Sequence, residues 1–152
     1  MKYKVQALFF MLATLCSNIA VQAEKTDWYA PMSVEGTVTV NVYEANDLFH
    51  AGAVFIDVRN PRLFAKKHVP GAHHLDLKDG YSEHALNAIA GLDDPVVIYS
   101  SGEQCSRSYR ASEMAVNWGY TKVYYFRGGI IDWRDAGLPM EKVNILLEGA
   151  ND

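Results

Sequence analysis

Residues 95–120 read PVVIYSSGEQCSRSYRASEMAVNWGY, and this stretch decides the fold class. Its first five residues, 95–99, are mostly branched and apolar, which is typical of a strand buried on both faces of a parallel sheet. From residue 107 to residue 118 apolar side chains recur at helical spacing, and Gly119 ends the pattern. A polar loop joins the two segments. The stretch therefore predicts a strand, a loop and a helix in direct succession.

The same alternation continues on both sides of this stretch. Two further apolar runs, residues 53–58 and 122–126, predict buried strands, and residues 68–75 end in a shorter strand. Capping residues and glycines predict helices that cover, in chain order, residues 41–52, 61–67, 82–90 and a short segment after 128. Alternating strands and helices pair in parallel through right-handed crossovers. The sequence thus predicts an α/β domain of three layers, a central and mainly parallel sheet flanked by helices.

The start of the chain differs from the rest. Lys2 and Lys4 precede an apolar run over residues 7–15, and Ala23 ends a Val-Gln-Ala cleavage signature. The run is shorter than the roughly 20 residues that a membrane helix needs. We therefore interpret the first segment as a removable signal peptide and expect the mature protein to be periplasmic or secreted, and free of the membrane. The predicted division is a signal peptide over 1–23, an extended lead-in over 24–36, an α/β domain over 37–140 and a C-terminal tail over 141–152.

Composition narrows the class of function. The 152 residues carry a formal net charge of −4, and no basic stripe is present, which argues against a nucleic-acid partner. Of the two cysteines, Cys16 leaves with the predicted signal peptide, so the mature chain keeps Cys105 alone. A lone thiol in an oxidising compartment requires an explanation.

The loop that contains Cys105 is the best candidate site. In an open α/β sheet, ligands bind beyond the carboxyl ends of the strands, where this loop lies. Gly102 permits close approach of the backbone, and the following helix directs its positive end at the loop. Cys105 stands at that helix end with Arg107 and Arg110 nearby, surroundings that favour the nucleophilic thiolate. The alternative is an inert, buried cysteine.

The remaining candidates divide into two groups. Residues expected to contact an anion or substrate are Ser100, Ser101, Gly102, Glu103, Gln104, Ser106, Arg107, Ser108 and Arg110. Residues expected to be structural are Asp57, Arg59, Gly71, Gly128, Gly129 and Trp133. His68, His73 and His74 have no adjoining cysteine or carboxylate cluster, so we predict neither a metal nor another cofactor.

Several of these segments, taken in order, resemble the landmarks of the rhodanese family. They are Asp57-Val-Arg59, His68-Val-Pro-Gly-Ala72, the strand ending at Tyr99 with its loop, Arg107-Ser108, Gly119-Tyr120, Gly128-Gly129 with Trp133, and Ala136-Gly-Leu-Pro139. The resemblance extends over roughly residues 34–140 and implies an α/β fold with sulfurtransferase chemistry. In that chemistry a cysteine accepts sulfane sulfur from a donor such as thiosulfate and passes it to a thiophilic acceptor. The implied partners are a small sulfur-containing anion and a thiol acceptor, with a partner protein left open.

The chain departs from the family at the decisive position. Family members usually carry the catalytic cysteine directly after the strand, where this chain has Ser100, and the loop is about two residues longer than usual. Cys105 instead resembles the second cysteine of an exported rhodanese-like group associated with pyrroloquinoline-quinone-dependent catabolism. In that comparison Ser100 or Ser101 replaces the first cysteine of the group, and Ser106 replaces its tryptophan.

Three functional hypotheses follow. In the first, Cys105 has become the sulfur carrier of a thiosulfate sulfurtransferase. In the second, Ser100 marks a non-catalytic module that binds a partner or a small anion. A third, a phosphatase of the related cell-cycle type, draws on the spacing from Cys105 to Arg110. It ranks last, because those loops also begin with cysteine directly after the strand.

Overall fold

A computed structural model describes residues 28–143 of the chain. The predicted signal peptide, the first part of the lead-in and most of the predicted tail lie outside the described residues. Within residues 28–143, the strands form one sheet in the order β1-β5-β4-β2-β3, and every neighbouring pair is parallel. The strands are β1 (Val38–Val40), β2 (Val54–Asp57), β3 (His73–His74), β4 (Val96–Tyr99) and β5 (Val123–Phe126).

Helices connect the strands along this part of the chain. They are α1 (Val42–His50), α2 (Pro61–Lys66), α3 (Glu83–Asn87), α4 (Arg107–Asn117) and α5 (Gly129–Asp135). Local capping explains three of the starts. At α2, the Asn60 Oδ1 accepts a hydrogen bond from the Leu63 N–H. Asn41 and Glu44 form the reciprocal hydrogen bonds of a capping box at α1, and the Ser82 hydroxyl accepts from the Ala85 N–H at α3. None of the described helices is both long and apolar enough to cross a membrane.

The core occupies both faces of the sheet. Along β4, Val96 and Ile98 belong to one apolar cluster, while Val97 and Tyr99 belong to the other. The first cluster includes buried residues of α3 and α4, and the second includes buried residues of α1 and α5. Since alternate side chains of a strand point to opposite faces, helices cover the sheet on both sides. The predicted three-layer α/β architecture with a parallel central sheet is confirmed.

Two elements differ from the sequence-based expectation. Strand β1 was not predicted, because Val38 and Thr39 are exposed and the strand lies at the sheet edge, where its pairing partner β5 is distant in sequence. Helix α3 ends at Asn87 rather than near Ala90. There the N–H groups of Ile89 and Ala90 both donate to the Leu86 carbonyl, which tightens the chain into a turn.

Candidate active site

The position directly after strand β4 is closed to solvent. Ser100 is fully buried, and its Oγ is 3.0 Å from the Oγ of Ser108 on helix α4. Its carbonyl oxygen accepts a hydrogen bond of 3.0 Å from the N–H of Ile130 on helix α5. The side chain and the backbone of Ser100 are thus both committed to neighbouring helices.

A glycine at the start of α5 allows this helix to approach the strand end. Gly129 has a φ of +58°, and a Cβ built on it would overlap the Ser100 carbonyl oxygen. The same Cβ would lie 3.1 Å from the Gly102 nitrogen. At Gly128, a Cβ would overlap the carboxylate of Asp132. The two loop backbones therefore approach this closely because Gly129 has no side chain, whereas the absence of a side chain at Gly128 leaves room for the Asp132 carboxylate.

Cys105 is the free thiol among the described residues, and it is half-buried. Its N–H donates to the Gly102 carbonyl over 3.0 Å, which folds the loop into a turn just before α4. The N-cap of that helix, Ser106, makes no side-chain capping hydrogen bond. The thiol therefore follows the turn and precedes the positive end of α4.

Arg107 is directed into the structure. Its Nη1 donates to the Val58 carbonyl over 3.0 Å and to the carboxylate of Asp76. Burial by itself would raise the pKa of the Asp76 carboxyl group. Hydrogen bonds from the Lys78 N–H and from Arg107, together with the positive charge of Arg107, outweigh the effect of burial, so this pKa lies below its ordinary value. Arg107 was expected to contact an anion; in the structure its Nη1 connects α4 to the segments that follow β2 and β3.

Two clefts flank Cys105 along the chain. The basic cleft encloses about 430 Å³ and is lined by Leu77, Lys78, Ser106, Arg107 and Arg110. The acidic cleft encloses about 280 Å³ and is lined by Tyr29, Gly102, Glu103, Gln104, Gly128, Ile131 and Asp132. Cys105 thus lies between Gln104, which lines the acidic cleft, and Ser106, which lines the basic cleft. Ser101 and Ser108 line neither of them.

Charge distinguishes the two clefts. In the basic cleft, Lys78 and Arg110 are exposed and make no ion pair within residues 28–143. In the acidic cleft, the Glu103 carboxylate is 2.5 Å from Arg127 Nη1. Burial and then the charge of Glu103 raise the pKa of Asp132. A small anion is therefore favoured on the basic side of Cys105.

Arg127 and the lead-in complete the site, and neither was singled out from the sequence. Arg127 Nε donates to the Ala30 carbonyl over 3.1 Å, and the Ala30 N–H donates to the Glu103 carbonyl over 2.7 Å. The Tyr125 hydroxyl donates to the Pro31 carbonyl over 3.3 Å. Burial raises the pKa of Tyr125 to about 12. Ala30 and Pro31 of the lead-in therefore connect it to Glu103 of the candidate loop and to β5. Arg127 could have been found as a charged residue directly after a buried strand.

The remaining residues expected to be structural form the following hydrogen bonds, which lie outside the loop 100–106. Asp57 accepts from the Arg59 N–H over 3.0 Å and from its Nη2 over 2.6 Å. Gly71 has a φ of +68°, and its N–H donates to the Glu141 carboxylate over 2.9 Å. Trp133 is fully buried in the core, and its Nε1 donates to the Pro139 carbonyl over 2.7 Å.

Two of the three histidines of this segment stack on one aromatic ring. His68 and His74 stack on Phe64, with ring centroids 3.9 Å and 4.6 Å from it. Within residues 28–143, no group of three or more histidine, cysteine or acidic side chains could hold a metal ion.

Comparison with known proteins connects this geometry to a family. A family model described as "Rhodanese-like domain" matches residues 41–136. The thiosulfate sulfurtransferase GlpE of Stutzerimonas stutzeri (strain A1501) is 36% identical over 91 residues, which cover 60% of this chain and 79% of that protein. The GlpE of Ectopseudomonas mendocina (strain ymp) is 32% identical over 105 residues, which cover 67% of this chain and 88% of that protein.

A solved structure supports the fold. The human single-domain sulfurtransferase superposes with a TM-score of 0.55 and 24% identity, covering 64% of this chain and 95% of that one. None of these three proteins is described as a phosphatase, so the phosphatase hypothesis gains nothing from them. The resemblance to the exported two-cysteine group stays a prediction.

Proposed function

Because the chain belongs to the rhodanese-like domain family, we propose that it transfers sulfane sulfur through a persulfide on Cys105. The observation that carries the proposal is the contrast between two positions in one loop. Ser100, in the usual catalytic place, is fully buried and hydrogen-bonded, whereas Cys105 is a half-buried thiol that directly precedes Ser106, a residue of the basic cleft. A hydroxyl cannot carry a persulfide, so only Cys105 has the required chemistry.

The first half-reaction takes sulfur from the donor. The Cys105 thiolate attacks the outer sulfur of thiosulfate, the S–S bond of thiosulfate breaks, and sulfite leaves with the bonding electron pair. Lys78 and Arg110 in the basic cleft supply positive charge for the dianionic donor. The enzyme then holds one sulfane sulfur as a persulfide.

The second half-reaction returns the thiolate. A thiophilic acceptor, either a thiolate or cyanide, attacks the outer sulfur of the persulfide, and the S–S bond to Cys105 breaks. With cyanide the product is thiocyanate. No oxidant or cofactor takes part, because the sulfur atom leaves at the oxidation level at which it arrived.

A variant pair tests which residue carries turnover. Cys105→Ser should abolish thiosulfate:cyanide sulfurtransferase activity, whereas Ser100→Ala should retain a measurable part of it. Circular dichroism of both variants controls for folding. Activity that survives Cys105→Ser contradicts the Cys105 mechanism.

A non-catalytic binding module is the second candidate. Two observations favour it: Ser100 replaces the family's thiol, and the Nη1 of Arg107 is engaged by Asp76 and the Val58 carbonyl. On this reading wild-type protein is inactive, and Ser100→Cys creates activity by restoring a thiol at the strand end. The buried hydrogen bond between Ser100 and Ser108 opposes that gain, since the new thiol would lie in a closed position.

Export is a separate part of the proposal. It is supported by the charged start, the apolar run and the cleavage signature of residues 1–23. N-terminal sequencing of secreted or periplasmic material should begin near Glu24. Soluble protein that retains Met1 would refute it.

A further inference from the structure

A third cavity lies between helices α2 and α5 and has no part in the proposed sulfur transfer. It encloses about 170 Å³ and is lined by Arg59, Leu63, Lys66, Lys67, Ile130, Arg134 and Met140. We call it the α2–α5 pocket. No residue of the loop 100–106 lines it, so Cys105 is not one of its walls. Ligand pockets of drug-sized molecules enclose roughly 300–1,000 Å³, so this one suits a smaller molecule.

Arg59 is the buried charged group of this pocket. Its side chain is 5% exposed. The guanidinium uses Nε and Nη2 to bind Asp57, and Nη2 also donates to the Lys67 carbonyl over 2.7 Å. These hydrogen bonds leave Nη1 without a partner within residues 28–143. The guanidinium carbon also lies 6.0 Å from the centroid of the Tyr99 ring. Arg59 therefore brings to the pocket wall a guanidinium with one N–H group that no described residue accepts from.

Other cations surround the same cavity. Arg134 forms an ion pair with Asp135 at 2.7 Å, and Arg59 is neutralised by Asp57. Lys66 and Lys67 are exposed and make no ion pair in the described part of the chain, so they contribute uncompensated positive charge. The position of Lys66 in the last turn of α2 is explained by the helix dipole alone. The dipole does not explain why four cationic side chains meet at one cavity.

The rest of the wall is apolar. Leu63 comes from α2, Ile130 from α5, and Met140 from the segment that follows α5. An inorganic anion would use the cationic groups and leave this apolar surface uncovered. A ligand with an anionic head and a short apolar body would satisfy both, because burial of apolar surface adds to the electrostatic attraction.

We propose that the α2–α5 pocket binds a small organic anion, such as a sulfonate or carboxylate with a short apolar body. The head contacts Arg59, Lys66 and Lys67, and the body contacts Leu63 and Met140. This binding is non-covalent and requires no thiol. It stands independently of sulfur transfer, since the pocket and the loop share no lining residue.

Isothermal titration with benzenesulfonate tests the site, with chloride holding the ionic strength constant. We expect one molecule bound per chain, and weaker binding of methanesulfonate and of sulfate because they lack the apolar ring. Lys66→Gln and Lys67→Gln should each weaken binding by about two- to fivefold, the range of a screened ion pair. Both lysines are exposed, so these variants should fold.

Matched variants locate the binding. Lys122→Gln removes one positive charge at an exposed position before β5 and should leave the affinity unchanged. Cys105→Ser should also leave it unchanged, which separates this test from that of the proposed function. The proposal is overturned by the absence of binding, by sulfate binding as tightly as benzenesulfonate, or by equal losses in Lys67→Gln and Lys122→Gln. If Lys78→Gln weakens benzenesulfonate binding and the two pocket lysine variants do not, the anion binds in the basic cleft, and the proposal is likewise overturned.

Discussion

Replacement of Gly129 by alanine should destabilise the protein and displace the Cys105 loop. Gly129 is the first residue of α5 and has a φ of +58°, a conformation that alanine rarely adopts. The new Cβ would overlap the Ser100 carbonyl oxygen and lie 3.0 Å from its carbonyl carbon. These are backbone atoms in a fully buried position, so they cannot rotate away.

The expected cost has two parts. A left-handed conformation costs a non-glycine residue roughly 1–2 kcal/mol. Overpacking of a closely packed region costs about 1–3 kcal/mol more. We therefore expect Gly129→Ala to lower the free energy of unfolding by roughly 2–5 kcal/mol.

Gly137→Ala is the matched control. Gly137 has a φ of +70°, but nothing lies within 4 Å of a Cβ built there. This variant should show only the conformational cost, about 1–2 kcal/mol. The difference between the free energies of unfolding of the two variants, measured in urea, then gives the cost of the steric contact with Ser100.

Alkylation of Cys105 by iodoacetamide supplies a local readout. Displacement of the Ser100 backbone should also displace the loop that follows it. The rate of Cys105 alkylation should therefore change in Gly129→Ala and stay near that of wild type in Gly137→Ala. Equal free energies of unfolding for the two variants would refute the close-approach argument.

Three further predictions follow from the site. Ser100→Ala removes the buried hydrogen bond between Ser100 and Ser108, so urea unfolding should show a loss of about 0.5–1.5 kcal/mol; an unchanged midpoint would contradict this. The folded-state pKa of Asp76 lies below its ordinary value, because hydrogen bonds and the charge of Arg107 outweigh the effect of burial. Its contribution to stability is therefore present above the unfolded-state pKa of about 4 and is lost as pH falls through the folded-state pKa. The difference in stability between wild type and Asp76→Asn should shrink in acid, and a constant difference between neutral pH and acid would argue against the ion pair. Burial raises the pKa of Tyr125 to about 12 in the folded state. The neutral Tyr125 hydroxyl therefore stabilises the folded state fully below the unfolded-state pKa of about 10, and this contribution is lost as pH rises from about 10 towards 12. Tyr125→Phe should remove a late phase from the ultraviolet titration, and an unchanged titration would contradict the assignment.

The sequence predicted the elements whose signals are local. Strand β4 and helix α4 were found because a continuous apolar run and a helical repeat are visible within a few residues. Strand β1 was missed because its assignment depends on Tyr124, Tyr125 and Phe126 of β5, far along the chain. Its own pattern, with Val38 exposed, carries no signal of burial.

The site follows the same rule. The loop with Cys105 was identified from the order of strand, loop and helix, which is a local property. The engagement of Arg107 by Asp76 was not predictable, because the two residues are 31 positions apart. The contact of Ala30 with Glu103 is likewise formed by chain folding alone, so the lead-in could not be placed against the loop from sequence.

Mass spectrometry of the protein after exposure to thiosulfate tests the central claim most directly. The mature chain, which is expected to begin at Glu24, should gain one sulfur atom, and fragmentation should locate that atom on Cys105. Treatment with cyanide should remove it, and Cys105→Ser should gain none. Absence of added sulfur on Cys105, or its appearance in the Cys105→Ser variant, would contradict a persulfide carried by this residue.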